Sequence, residues 1–160
     1  MLSKIKNIHE NTILILSQIH PETWFTNKLL YASSHLFLLP IFVYFFTNTS
    51  RIQSAIFSFL FINFIASIAF WYNPIKGSLV HKIDAVAART SIITLLLYTL
   101  IFRNLSMFVL VTYILVVLTM FLFFFLSNTY SRKEWCCMEH ILCHFMAHIL
   151  ACFAIFFMII

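Results

Sequence analysis

The sequence predicts an all-α fold, a multi-pass transmembrane helical bundle of five spans. Three observations carry this. Of the 160 residues, 62% are hydrophobic and only 9% are charged, with a mean hydropathy of +0.98. A soluble domain of this length cannot hide so much apolar surface. The apolar residues gather into five runs, each near the ~20 residues that a helix needs to cross a bilayer. The runs are continuous where barrel strands would alternate, and in lipid a helix satisfies every backbone group by itself.

Residues 1–28 read as a cytoplasmic N-terminal segment. Ile5, Ile8, Ile15 and Ile19 give it a weak apolar face suited to lying on the membrane surface. Residues 29–160 form the transmembrane domain, with apolar runs at 29–47, 54–72, 85–102, 105–126 and 141–160. Pro40 should kink the first span. Asn63 and Ser67, in the middle of the second, should bridge helices. The links after the first and third runs are short, as in helical hairpins. Asn73-Pro74 looks like an N-cap followed by Pro at the first helical position, so the third helix is expected to start near Pro74. Ser131 and Glu134 match a capping box, so the fifth is expected to start near Arg132. Trp24, Trp71, Tyr72, Tyr130 and Trp135 mark interfaces.

Loop charge gives the orientation. Lys4, Lys6, Lys28, Lys76, Lys82, Arg132 and Lys133 fall on the side of the N-terminus, against Arg51 and Arg103 on the other. Positive loops stay inside, so an integral membrane protein with a cytoplasmic N-terminus is expected. The sequons at Asn48 and Asn104 fall on the opposite side, too close to the membrane for glycosylation. The net charge of +5 comes from these short loops and forms no basic face, which excludes nucleic acid as a partner. The lipid bilayer, and a lipid substrate, are the expected partners. All four cysteines lie in the last segment, without a CxxC pair or a disulfide framework.

Polar residues inside spans are functional candidates by default. His140, His144 and His148 share one face of the fifth helix. Ser78, His81 and Asp84 follow one another at three-residue spacing on the third, with Arg89 on the same side. Both helices begin on the cytoplasmic side, so these groups collect at matching depth in one leaflet. A catalytic zinc takes three protein ligands and leaves one position for water. Histidines four apart on one helix and a third from a facing helix supply such a set. A nearby carboxylate can take the proton of the metal-bound water or orient a ligand imidazole. His81, His140 and His144 are thus the candidate ligands, Asp84 the candidate base and Ser78 its support.

This pattern resembles the superfamily of alkaline ceramidases, adiponectin-type receptors and haemolysin-III-like proteins. Those carry a Ser four residues before a His on one span, an Asp on another, and H-x-x-x-H on the last. The resemblance implies a zinc-dependent lipid amide hydrolase with zinc on His81, His140 and His144, water handling by Asp84 and support from Ser78. Other readings stay open on the residues alone. The His/Asp set can be a structural interface in a scaffold, an interaction protein or an oligomeric pore. Two histidines can ligate a b-type haem. Cys136 and Cys137 can carry palmitate. His144/His148 can replace His140/His144 as the ligand pair, and the parts played by His35, Arg89 and oligomerisation stay open.

Overall fold

The computed structural model describes residues 21–47 and 50–159, and every regular element among them is helical. The interfacial helix expected within 1–20 and the sequon at Asn48 lie outside the described residues. The elements are α1 (Pro21–Ser34), a 3-10 turn (His35–Phe37), α2 (Leu38–Phe45), α3 (Arg51–Tyr72), α4 (Leu79–Phe102), α5 (Met107–Lys133) and α6 (Met138–Ile159). Five stretches are long and apolar enough to cross a membrane: Lys28–Phe45, Arg51–Tyr72, Leu79–Phe102, Met107–Lys133 and Met138–Phe157. The chain is a five-span transmembrane bundle. The outer faces are greasy, as lipid contact requires: Leu118 is 60% and Phe125 66% exposed. We call the face where the first span begins the near face. By alternation α4 and α6 also begin there, and α3 and α5 end there.

The first span is broken as Pro40 dictates. Proline has no N–H to give the carbonyl four residues earlier, and its ring crowds that carbonyl. The helix tightens into the 3-10 turn at His35–Phe37. The Leu36 carbonyl, deprived of its helical donor, faces the Cys152 thiol of α6 at 3.4 Å instead. At the far face, α3 begins with a reciprocal cap. Ser50 Oγ accepts from the Gln53 N–H at 3.3 Å, and Gln53 Oε1 accepts from the Ser50 N–H at 2.8 Å.

Two expected helix starts are corrected. The third span begins at Leu79, not near Pro74, because the chain turns at Gly77 with φ +78° and Ser78 caps the helix. The last begins at Met138, not near Arg132, because α5 runs on to Lys133. Ser131 is the reason. Its hydroxyl donates back to the Asn128 carbonyl at 2.9 Å inside α5 and caps nothing after it. The reverse turn falls at Cys136, with φ +62°. The two shifts are nearly equal, so His81 and His140 each sit at the third residue of their helices and remain level.

The spans pack in the order α5, α6, α1, α3, α4, and α6 also touches α4. The third and fifth spans are therefore neighbours, as a shared site on them requires. The ring does not close, because α4 and α5 make no backbone contact. Lipid tails are as apolar as leucine, so burial alone does not hold such helices together. Close packing does part of this. One core joins Phe57, Leu60 and Phe64 of α3 to Leu95, Tyr113, Val117 and Ile155, and a smaller one at the near face joins Leu30, Phe70, Trp71, Cys136 and Ile141. Polar pairs do the rest.

Candidate functional site: a crevice beside the histidine face

A cavity of about 140 Å³ lies among α3, α4, α5 and α6, where α4 and α5 stand apart. On α5 its wall reaches from Ser131 down to Tyr113. At 1.5 Å rise per residue that is roughly 27 Å, close to the thickness of a hydrocarbon core. Its two ends differ. His81, Asp84, Trp135, His140 and His144 line the near end, and Leu95, Val117, Met120, Ala154 and Ile155 the other. Four buried polar atoms in the wall have no hydrogen-bond partner: Trp71 Nε1, Asn63 Oδ1, Ser91 Oγ and Tyr113 Oη. Orphaned groups of this kind cost about 1–3 kcal/mol each unless water or a ligand meets them.

The near end is built from one local device used twice. In the turn before α4, the Gly77 N–H donates to His81 Nδ1 at 2.9 Å. In the turn before α6, the Cys136 N–H donates to His140 Nδ1 at 3.2 Å. Each donor has positive φ, and each imidazole stands four residues on, in the first helical turn. A backbone N–H can only donate, so Nδ1 of both rings must offer a lone pair. A neutral imidazole that accepts at Nδ1 carries its one proton on Nε2. Both rings thus present an N–H donor on their opposite edge.

Trp135 ties the two turns together. Its Nε1 donates to the Pro74 carbonyl at 3.2 Å. Its ring lies 5.3 Å from His81 and 5.0 Å from His140, centroid to centroid, and 6.4 Å from the nearly parallel ring of Trp71. Lys76 lies 5.4 Å over the Trp135 ring, a cation–π contact, and donates to the Ser131 carbonyl at 2.7 Å.

Deeper in, serines receive the polar groups. His144 Nδ1 pairs with Ser127 Oγ of α5 at 3.0 Å, and His148 Nδ1 with Ser33 Oγ of α1 at 2.8 Å. Ser33 Oγ also donates to the Leu30 carbonyl, so the His148 contact is completed by a proton on Nδ1, which leaves an Nε2 lone pair. Asp84 is buried and faces the Ser67 hydroxyl of α3. Ser67 in turn meets Ser34 of α1 at 3.0 Å. All five spans are joined by these few contacts.

The structure sorts the candidates. His81, Asp84, His140 and His144 line the one cavity, and so do His148 and Arg89. Ser78 does not, and supports no carboxylate. Its hydroxyl is the N-cap of α4, accepting the His81 N–H at 3.1 Å. The serine beside Asp84 is Ser67. Asp84 faces that hydroxyl and no basic side chain, so an Asp84–Arg89 or Asp84–Lys82 pair is not formed. His35 turns away to donate from Nδ1 to the Tyr31 carbonyl at 2.9 Å, against Phe64, and takes no part. Spacing did not single out Trp71 as a site residue. It was visible as an interface marker, and only packing brings it to 5.0 Å from the His144 ring.

Zinc fits this donor set poorly. A ligand imidazole offers one nitrogen lone pair to the metal and donates from the other. His81 and His140 have the opposite arrangement, with the Nδ1 lone pair engaged by backbone and the proton on Nε2. Among the described residues no three His, Cys, Asp or Glu side chains converge as a metal site. Comparison with protein-family models, with curated proteins and with solved structures finds no match.

Proposed function

We propose that this is an integral membrane protein that binds an amphiphilic lipid in the crevice, polar part at the near end and acyl chain along α5. The near face is cytoplasmic on this reading, since it carries most of the loop lysines and arginines. One observation carries the proposal: a single cavity, with its histidines and Asp84 at the near end and mostly apolar side chains below, lies between two helices that do not touch. A lipid can slide into such a slot sideways without leaving the bilayer.

The same end holds groups that hydrolysis of an acyl bond needs. Asp84 can act as a general base toward water, and the Nε2–H edges of His81 and His140 can polarise a carbonyl oxygen. This keeps the lipid-hydrolase reading in play, without a step that passes through zinc.

The test is lipid retention. Protein purified in mild detergent should keep close to one amphiphile per chain, identified by mass spectrometry of an organic extract. Ala88→Trp and Ala147→Trp, which fill the slot, should abolish retention while the helical circular dichroism persists. A retained profile that matches bulk membrane lipid, unchanged by either variant, contradicts the proposal. If retention holds, Asp84→Asn should abolish release of fatty acid from a bound ester or amide lipid and spare binding.

A further inference from the structure

The near end of the crevice recognises phosphate, we infer, and on the reading above this is the phosphate of a phospholipid whose acyl chain lies in the slot. Three uncommitted N–H groups border this end of one cavity. His81 and His140 present Nε2–H because backbone donors hold their Nδ1 lone pairs. Trp71 is 2% exposed, and its buried Nε1–H has no partner. Its ring lies 6.2 Å from that of His140. They come from three helices, so they approach from different sides, as a tetrahedral anion with several acceptor oxygens requires. All three can donate, and none can accept at the free edge. A lipid amine or ammonium group meets no acceptor from them.

The surrounding field agrees. Both α4 and α6 begin here, and a helix N-terminus carries partial positive charge and unpaired N–H groups. Lys76 adds a full charge over Trp135. Asp84, the one acidic group in the wall, lies one helical turn deeper than His81, where its carboxylate meets Ser67. That depth matches the order of groups in a phospholipid: phosphate at the interface, ester carbonyl just below, acyl chain beneath. Free phosphate satisfies the same donors, and only the chain distinguishes the two.

The experiment is photolabelling by a lysophospholipid with a diazirine in its acyl chain, in detergent-solubilised full-length protein. Dodecyl phosphate, dodecanol, dodecylamine and inorganic phosphate serve as competitors, and phosphorus NMR follows phosphate binding directly. Dodecyl phosphate should compete at least tenfold better than dodecanol, and dodecylamine worst. Trp71→Phe, which removes one N–H and keeps an aromatic ring, should cut the phosphate advantage severalfold and leave competition by dodecanol unchanged. Nitrogen NMR of His81 and His140 should show protonated Nε2 whatever the variant's affinity. Phosphate binding without labelling of the slot supports the anion site and rejects the lipid. Labelling in which dodecanol equals dodecyl phosphate rejects the anion site and keeps the lipid. No labelling and no phosphate binding rejects both.

Discussion

Gly77 and Cys136 hold equivalent positions at the heads of two neighbouring helices: each has positive φ, +78° and +62°, and each gives its N–H to the imidazole four residues on. The equivalence is energetic as well as geometric. Left-handed backbone suits glycine and costs other L-residues about 1–2 kcal/mol. Open space surrounds the position where a Cβ on Gly77 would project, so only this backbone term opposes a side chain there. Gly77→Ala should therefore destabilise by about 1 kcal/mol in thermal unfolding in detergent. At 136, glycine should be tolerated better than alanine, since both lose the buried thiol and only glycine relieves the turn. Alanine better than glycine at 136 contradicts the device.

Cys136 is nearly buried between the spans. Burial, reinforced by Cys137, pushes its thiol up to about 12, against a weaker opposing pull from Lys76. The thiolate is the reactive form, and a raised value keeps the thiol protonated at neutral pH. In folded protein Cys136 should resist maleimide at pH 7.5, and react only as the pH approaches 12 or the chain unfolds. Mass mapping of alkylated peptides reads this. Rapid neutral-pH labelling contradicts the placement, and it bears equally on palmitoylation at this residue.

The serine partners set the depth and rotation of the helices. Ser127→Ala strips His144 of its α5 partner, and Ser33→Ala strips His148 of its α1 partner. Hydrogen bonds between membrane helices contribute about 0.6 kcal/mol on average and up to about 1.7. Each single variant should cost an amount in that range in reversible unfolding. The two together should depart from additivity in a double-mutant cycle, because the His144 and His148 rings stand only 4.8 Å apart. A change below a few tenths in both contradicts these contacts.

Cys152→Ala takes away the thiol that faces the Leu36 carbonyl and leaves it only the Leu38 N–H, and should cost up to about 1 kcal/mol, whereas Cys152→Ser should restore the contact. Pro40→Ala supplies the missing N–H from within the first span. In that background, Cys152→Ala should lose most of its effect, which a double-mutant cycle measures directly.

Metal content separates the two hydrolase readings. With the Gly77 and Cys136 N–H groups holding both Nδ1 atoms, purified protein should carry far less than one zinc per chain, and chelators should leave its fold and lipid retention unchanged. Near-stoichiometric zinc that disappears in the His140→Ala, His144→Ala double variant contradicts the tautomers argued above.

Much of the fold was legible. Five apolar runs became five spans, because a bilayer fixes both length and composition. The gathering of His81, Asp84, His140 and His144 within the first two turns at the near face was legible too, since helical rise converts sequence distance into height. The helix starts were not. Asn73-Pro74 and Ser131/Glu134 match familiar capping patterns, but a left-handed turn at Gly77 and the back-bonding of Ser131 decided otherwise. At α6 the turn into the helix is held by His140, a residue type that capping patterns do not include. Ser78 was legible as polar and near His81, yet the same proximity serves a cap or a site. Ser67 was legible as a bridge between helices and became one, through Ser34. Its nearness to Asp84 depends on which faces of α3 and α4 meet, and periodicity does not determine that.

The most direct test of a lipid slot is where a lipid's chain is found. A diazirine at mid-chain, activated in the solubilised protein, should attach to buried wall residues such as Leu95, Val117 and Met120. Label confined to the outward residues Leu118, Leu122 and Phe125, with the wall unmodified, means that lipid only surrounds the bundle and that nothing occupies its interior.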